Sequence, residues 1–352
     1  MGMALSLPQE LLFLTVWWSY IYLQYNTLQE LNMLHFDDWA SNFGETITAM
    51  ELGFVRDTFE KVCRLVDVLQ FMAEDELLSK TLALKGGTAI NLTIFDLPRL
   101  SVDIDLDYSK MVSREIMLEE RKVITEHISK YMVASGYVLN GKSKDYHALD
   151  SFVYEYQNAG GMKDNIKIEI NYMLRCNVFE EEYRKVNIQW IDSGLRVLCV
   201  NPIEIFASKI IALLNRAAPR DLYDISNMIK YEIFDESQRE LLRKCCVLYN
   251  AIGSEILSDD FRFDAIKDIS LRQIKTSLYP VLRNNDRFNL EETQELVIKS
   301  LSSFMFPNGK ERAFWRNFKN GNFLPMLIFG DCDESNRVKK HPMAEWKCNN
   351  RR

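Results

Sequence analysis

The stretch from Lys85 to Asp107 constrains this chain most strongly, because a glycine turn precedes a strand with acids at alternate positions. Its sequence is Lys-Gly-Gly-Thr-Ala-Ile-Asn-Leu, a short bridge, and then Arg-Leu-Ser-Val-Asp-Ile-Asp-Leu-Asp. Alternation with a period of two predicts a strand with Asp103, Asp105 and Asp107 on one face and aliphatic residues on the other. Adjacent acids repel each other unless a cation lies between them. The acidic pattern alone therefore fits a solvated edge strand or a metal site.

The Gly-Gly-Thr turn favours the metal site. Gly86 and Gly87 let backbone N–H groups approach an anion closely, and Thr88 adds a hydroxyl at the start of a helix, where phosphate binds well. Asp103 and Asp105 supply the hard oxygen ligands that Mg²⁺ usually shares with substrate phosphates. A phosphate turn beside paired carboxylates is what nucleotidyl transfer requires.

A third carboxylate lies in the segment 166–172, Ile-Lys-Ile-Glu-Ile-Asn-Tyr. Its apolar residues alternate with Lys167, Glu169 and Asn171, so these three share the opposite face of a predicted strand. Glu169 projects as Asp103 does if the two strands are neighbours, and we include it as a catalytic and metal-binding candidate. The alternative is an ordinary amphipathic strand with a surface Lys–Glu pair.

Positive charge comes from the segment that ends in Arg-Ala-Ala-Pro-Arg-Asp-Leu-Tyr-Asp. Lys209 and Arg216 are seven residues apart and so share one helical face. They are either solvated charges on the helix surface or a site that neutralises a triphosphate. Arg220, Asp221 and Asp224 fit either an anion-binding role or a structural salt-bridge cluster at a helix start, and the sequence leaves both open.

Length and composition exclude several classes of protein. A chain of 352 residues with 47% hydrophobic and 26% charged residues is typical of a soluble protein with two domains. The net charge of −7 means that any nucleic acid must be met by a local basic surface. Seven scattered cysteines without a Cys-x-x-Cys pair predict reduced thiols and a cytoplasmic protein, and they argue against a zinc enzyme.

Periodicity divides the chain into parts. Helices are predicted over 54–80, 88–94 and 114–134, and strands over 102–106, 151–156, 166–172 and 195–200. The character becomes helical after Asn201, which with Pro202 and Glu204 forms a good helix start. We place a domain boundary at this point.

The first fifty residues differ from the rest. The run from Leu11 to Leu28 carries no charge, but it is short for a membrane span and diluted by Gln24, Asn26 and Thr27. We expect a helix that is buried or faces a partner, without stable membrane insertion. Membrane contact, or a translation start at Met50, are the alternatives.

Four motifs in order resemble the AbiEii/AbiGii toxin family, nucleotidyltransferase-like toxins of bacterial abortive-infection toxin–antitoxin systems. The motifs are Lys-Gly-Gly-Thr-Ala, Arg-x-Ser-x-Asp-Ile-Asp-Leu, Lys-Ile-Glu-Ile, and Pro-x-Glu-x-x-Ala-x-Lys with the later Arg-x-x-Pro-Arg-Asp-Leu-Tyr-Asp. The closing His341-Pro-Met-Ala and Trp346-Lys347 also match. The resemblance covers roughly residue 54 to the end.

The resemblance implies an α+β fold: a DNA-polymerase-β-like nucleotidyltransferase domain, with a mixed sheet flanked by helices, and then a mainly helical domain. We assign an N-terminal extension to 1–50, the nucleotidyltransferase domain to 51–200, and the helical domain, which completes the nucleotide site, to 201–352. The resemblance implies catalytic roles for Asp103, Asp105, Lys209 and Asp221, and it matches Gly87 and Thr88 to the family's Gly-Ser position. With Glu169 from the strand pattern, we expect Asp103, Asp105 and Glu169 as metal ligands and these three with Lys209 and Asp221 as catalytic residues. The expected nucleotide-binding residues are Lys85, Gly86, Gly87, Thr88, Ser101 and Arg216. Asp107 inherits no role, and we expect it at the solvated end of its strand.

The resemblance also implies cofactors and partners. We expect Mg²⁺, a nucleoside triphosphate, an RNA acceptor with the 3′ end of tRNA as first expectation, and an AbiEi-type antitoxin encoded alongside. A protein or small-molecule hydroxyl as acceptor, or a non-catalytic nucleotide-binding module, are the alternatives. The sequence fixes neither the transferred base nor the acceptor.

Overall fold

The computed structural model describes residues 52–187, 194–255 and 257–350. The predicted N-terminal extension, with the helix expected within it, lies outside the described residues. No helix in the described ranges is long and apolar enough to cross a membrane.

One mixed sheet of eight strands organises the first half of the chain. Its strand order is β3–β5–β6–β2–β1–β8–β7, with β4 also paired to β5. The strands are β1 Leu82–Lys85, β2 Asp103–Tyr108, β3 Val138–Leu139, β4 Lys144–Tyr146, β5 Leu149–Gln157, β6 Lys163–Asn171, β7 Glu182–Lys185 and β8 Arg196–Cys199. The four strands predicted from periodicity are all present.

The central strand β2 is antiparallel to β1 and parallel to β6, and β6 is antiparallel to β5. The turn between β5 and β6 contains Gly161, whose φ of +77° is costly for other residues. This turn fixes the register of β6 against β5, while the parallel pairing with β2 sets which residues of β6 lie beside the central strand.

Two long helices cover the apolar face of the sheet. They are α1 Arg56–Glu74 and α4 Arg114–Ala134, and the short helix α2 Leu78–Thr81 follows α1. The sheet residues Ile104 and Ile168 are fully buried, and the rings of Phe71 and Tyr131 stack where α1 meets α4, with centroids 3.9 Å apart. The apolar residues that alternate with the acids therefore form the core.

The helix predicted over 54–80 is divided in two. Asp75 ends α1, and its carboxylate accepts hydrogen bonds from the N–H groups of Leu77 and Leu78, both at 2.9 Å. An aspartate that bonds the following backbone favours a turn over a continuous helix. The predicted helix at 88–94 is present as α3 Gly86–Ala89, which continues into a π-helical turn over Ile90–Ile94.

The second half of the chain is helical. Asn201 caps its first helix, because its side chain accepts a hydrogen bond from the N–H of Ile203 at 3.0 Å, and Pro202 begins the helix as predicted. The helices are α5 Pro202–Arg216, α6 Pro219–Lys230, α7 Glu236–Gly253, α8 Asp264–Lys267, α9 Leu271–Gln273, α10 Leu290–Phe304, α11 Gly309–Lys319, α12 Met326–Phe329, α13 Asp333–Val338 and α14 Pro342–Asn349. A π turn at Ile274–Leu278 and a 3₁₀ turn at Tyr279–Val281 follow α9.

Buried apolar residues of the two halves form one continuous core. The mixed sheet flanked by helices, followed by a helical part, confirms the predicted α+β class. The division into separate domains stays a prediction.

Candidate functional site

The acids of β2 and β6 lie side by side on one face of the sheet. The parallel register pairs Asp105 with Glu169 and Asp103 with Lys167. Directly paired residues of neighbouring strands point to the same face, so Asp103, Asp105 and Glu169 share it. The condition set by the sequence, that the two strands be neighbours, is met.

Glu169 is held by two neighbours on this face. Its Oε1 accepts a hydrogen bond from the Ser151 hydroxyl at 3.1 Å and lies 2.9 Å from the Lys167 ammonium. Burial opposes the charge of Lys167, but the hydrogen bond and attraction of Glu169, with Asp103 and Asp105 nearby, raise its pKa. Sequence reasoning assigned no catalytic or binding role to Ser151 or Lys167, although the alternative interpretation of β6 contained the Lys167–Glu169 pair that the structure has. Their alternation in two predicted strands is the signal that could have placed them here.

Asp105 is the acid most affected by its surroundings. Burial raises its pKa first, and the negative charges of Asp103 and Glu169 raise it further, against the opposing attraction of Lys85 and Lys209. Asp103, Glu169, Lys85 and Lys209 therefore all lie within electrostatic range of Asp105. A cation at this point would relieve the repulsion among the carboxylates.

The donor set fits a divalent metal. Asp103 and Asp105 are half-buried, and neither carboxylate accepts a hydrogen bond from the part of the chain that the structure describes. Within that same part, no three His, Cys, Asp or Glu side chains converge closely enough to hold a metal ion by themselves. Mg²⁺ commonly takes one or two carboxylates and completes its shell with water and phosphate. The three-carboxylate metal set stays a prediction.

The glycine turn packs directly against Asp105. Gly86 has a φ of +69°, and a Cβ there would collide with the Asp105 carboxylate. A Cβ on Gly87 would lie 2.8 Å from Nη2 of Arg99 and 2.9 Å from the hydroxyl of Ser101. Both positions therefore require glycine, because neighbouring side chains lie too close for a Cβ. The absence of side chains lets the turn pack directly against the acidic strand.

Thr88 and Ser101 connect the turn to β2. Thr88 is fully buried, and its hydroxyl donates a hydrogen bond to the backbone carbonyl of Asp103. The same hydroxyl lies 3.0 Å from the hydroxyl of Ser101. The hydroxyl thus helps to position Asp103. Its predicted contact with a phosphate stays a prediction.

The expectation for Asp107 was wrong. Asp107 is only 4% exposed, and its carboxylate is paired with the ammonium of Lys85, a predicted nucleotide-binding residue. Periodicity shows which face a residue occupies but not how deeply other elements cover it, and here the helical half closes over the end of the strand. Tyr249 of α7 lies within electrostatic range of Asp107.

A buried ion cluster adjoins the carboxylates. Lys209 lies 2.8 Å from Asp221 and 2.9 Å from Asp224, and Arg99 donates to both oxygens of Asp224 at 2.7 and 2.6 Å. Burial alone would raise the pKa of Asp224, but the attraction and hydrogen bonds of Arg99 and Lys209 outweigh it, so the pKa is lowered. Arg99 is the member that sequence reasoning missed, although it begins the Arg-x-Ser-x-Asp motif.

Arg216 and Arg220 lie at the edge of this cluster. Arg216 is largely exposed and bonds Asp221 through Nε at 3.0 Å and Nη2 at 2.8 Å. Arg220 donates to the carbonyl of Ser277 at 2.8 Å; burial and the charge of Arg99 lower its pKa, while Asp103 opposes the shift. The sequence left open whether Arg220, Asp221 and Asp224 bind an anion or form a structural salt-bridge cluster. Asp221 and Asp224 lie in a salt-bridge cluster, whereas Arg220 lies within electrostatic range of the catalytic candidate Asp103.

A mixed sheet with paired acids behind a glycine turn, closed by a helical half, defines a nucleotidyltransferase. The sequence matches the family model of the AbiEii nucleotidyl transferase toxin, type IV toxin–antitoxin system, over residues 70–315. The chain belongs to this family. The matched range is narrower than the one judged from motifs, and it excludes α14.

A solved structure agrees in fold. The nucleotidyltransferase toxin MenT4 from Mycobacterium tuberculosis H37Rv superposes with a TM-score of 0.55 at 16% identity, covering 84% of this chain and 94% of its own. No curated protein matches the sequence. The members of this family are nucleotidyltransferase toxins of type IV toxin–antitoxin systems. Membership therefore implies a nucleoside triphosphate substrate and an antitoxin partner.

Proposed function

We propose that this toxin is a magnesium-dependent enzyme that transfers a nucleoside monophosphate from a nucleoside triphosphate to the 3′ end of tRNA. One observation carries the proposal: Asp103, Asp105 and Glu169 lie in register on one face of the sheet, against the glycine turn. We further propose that a cognate AbiEi-type antitoxin opposes it in the cytoplasm.

In the proposed reaction the 3′ hydroxyl oxygen of the acceptor forms a bond to the α-phosphorus. The bond between that phosphorus and the bridging oxygen breaks, and pyrophosphate leaves. Asp103, Asp105 and Glu169 would hold Mg²⁺, which when bound activates the attacking hydroxyl and neutralises the leaving phosphates. The hydroxyl proton passes to Glu169, whose Oε1 is already engaged by Ser151 and Lys167, so Oε2 is the acceptor.

The ion cluster supplies the remaining charge. Arg99, Lys209 and Arg216 outnumber Asp221 and Asp224 by one positive charge, and Arg220 adds another near Asp103. In this proposal Lys209, fixed between two carboxylates, acts as a preorganised cation near Asp105, and Asp221 orients it. Preorganised charge requires little rearrangement as negative charge develops on the phosphates.

The direct test incubates the full-length protein with tRNA, Mg²⁺ and each labelled nucleoside triphosphate in turn. Asp103→Ala should reduce label transfer by at least roughly 10³-fold, since a metal clamp and its charge neutralisation are lost. Glu76→Gln is the matched control, because Glu76 is 91% exposed at its side chain and should leave transfer unchanged.

Label transfer that survives Asp103→Ala would refute the proposed site. Label found on protein or on a small molecule instead of RNA would refute the acceptor. Removing the metal with a chelator and adding back Mg²⁺, Mn²⁺ or Zn²⁺ separately tests the metal, and activity restored by Zn²⁺ alone would contradict the assignment of Mg²⁺. Sequencing RNA 3′ ends from expressing cells identifies the base and the acceptor.

A further inference from the structure

A cavity of about 650 Å³ lies beside the candidate site, where the sheet meets the helical half. Its lining comes from the end of β6 and from the helices α5, α7 and α14. Each element contributes at least one residue: Asn171, Ser208, Ile252 and Trp346. Its volume falls within the range of pockets that hold small ligands, about 300–1,000 Å³.

The cavity adjoins the carboxylate face, because Asn171 of β6 belongs to both. Asn171 follows Glu169 by two positions on the same face of β6, a separation of about 7 Å along the strand. On the helical side, Ser208 directly precedes Lys209 of the ion cluster. The cavity therefore begins close to the carboxylates that would hold Mg²⁺ for the triphosphate.

The lining combines an aromatic surface with unused polar groups. Trp346 is 55% exposed, and Leu174, Ile211 and Met343 add apolar surface. The side-chain oxygen Oδ1 of Asn171 accepts hydrogen bonds from the N–H groups of Met173 and Leu174 at 2.9 and 3.0 Å. The side-chain nitrogen Nδ2 donates to none of the described residues. A flat ring with polar edges suits such a lining, because its faces stack on aromatic side chains while its edges accept hydrogen bonds.

We infer that this cavity holds the nucleobase and ribose of the nucleoside triphosphate, with Trp346 as its aromatic contact. The inference rests on the proposed transfer from a triphosphate at Asp103 and Asp105. If Trp346 contacts the base, α14 is the element that distinguishes a nucleoside triphosphate from a phosphate chain without a nucleoside. This helix lies outside the range matched by the family model.

A second cavity of about 700 Å³ provides the comparison. It is lined by Phe95, Tyr223, Tyr231, Arg283 and Asp286 among others, and none of its lining residues belongs to a strand. Its polarity would also suit a nucleotide, but its lining takes no residue from β2 or β6, the strands that carry the carboxylates. Tyr231 is 64% exposed there, which makes it a matched control for Trp346.

The test is equilibrium binding by titration calorimetry, with the full-length protein, Mg²⁺ and no acceptor. The ligands are the four nucleoside triphosphates and inorganic tripolyphosphate, which lacks the nucleoside. Trp346→Ala should raise the dissociation constant of the triphosphate that binds best roughly 5- to 100-fold, while tripolyphosphate changes by less than about twofold. Trp346→Phe should recover part of the loss, and Tyr231→Ala should change neither ligand.

Ala212→Leu is the second variant, because it fills the same cavity from α5 and replaces one good helix former with another. It too should weaken the triphosphates and spare tripolyphosphate. Three results would each overturn the inference. In the first, Trp346→Ala and Ala212→Leu both leave the affinity for the nucleoside triphosphates unchanged. In the second, they weaken the triphosphates and tripolyphosphate equally, and in the third only Tyr231→Ala weakens nucleotide binding. RNA that stays unlabelled while the binding pattern holds would refute the proposed function alone. Labelled RNA with unchanged nucleotide affinity would refute this inference alone.

Discussion

Asp224→Asn tests whether the buried ion cluster is a structural requirement of the fold. Arg99 is 2% exposed and Asp224 is 1% exposed, and the two are joined by hydrogen bonds of 2.7 and 2.6 Å. The amide would leave Arg99 as a buried cation without a hydrogen-bonded carboxylate, while Lys209 retains Asp221 at 2.8 Å. Removing one partner of a buried pair costs about 3–5 kcal/mol, mostly from the uncompensated charge.

The measurement is urea unfolding followed by circular dichroism at pH 7.5. With an m-value of about 3 kcal/mol per molar, a loss of about 3–5 kcal/mol lowers the midpoint by about 1–1.7 M. Arg216→Ala is the control: its side chain is 66% exposed, so its pair with Asp221 should contribute no more than about 1 kcal/mol. The double variant Arg99→Met, Asp224→Leu should recover part of the loss, because no charge is left buried without a partner.

A midpoint for Asp224→Asn close to that of the wild type, or no lower than that of Arg216→Ala, would refute this reasoning. Such a result would mean that solvent or a neighbouring group compensates the buried charge of Arg99. The ion cluster would then be free to rearrange around a ligand.

Two further predictions concern the glycine turn and the C-terminal helix. Gly86→Ala should cost about 1–2 kcal/mol for its positive φ and should reduce nucleotidyl transfer further by displacing Asp105. Gly136→Ala, with a φ of +81° and nothing within 4 Å of the added Cβ, should show only the stability cost, and equal transfer rates in the two variants would contradict the close approach. His341 is 1% exposed with neither ring nitrogen bonded among the described residues, and burial lowers its pKa to about 4. The unfolded chain binds the proton at a higher pH than the folded chain does. The free energy of unfolding therefore falls as the pH drops from about 7 towards 4, by about 1.6 kcal/mol between pH 6.5 and 5. Unfolding of His341→Leu across this range should lack that contribution; an unchanged pH dependence would contradict it.

The sequence by itself determined the parts of the site that depend on local pattern. Alternation placed Asp103 and Asp105 on one face of a strand and Glu169 on the corresponding face of another, because side chains of a strand alternate regardless of what surrounds it. The start of α5 at Asn201 and Pro202 was equally predictable, since a capping side chain and a fixed proline φ act within one turn.

Tertiary structure alone decided which of these patterns meet. The order of the strands makes β2 and β6 neighbours, and only that order brings Asp105 beside Glu169 and into range of Lys209. The depth of burial was equally beyond the sequence: Asp107 is enclosed with Lys85 although it alternates just as its neighbours do. Arg99 pairs with Asp224, 125 positions later in the chain, and no local signal reports such a contact. Period and capping are properties of adjacent residues, whereas burial and ion pairing depend on the packing of distant elements, so the sequence supplied the candidates and the fold selected among them.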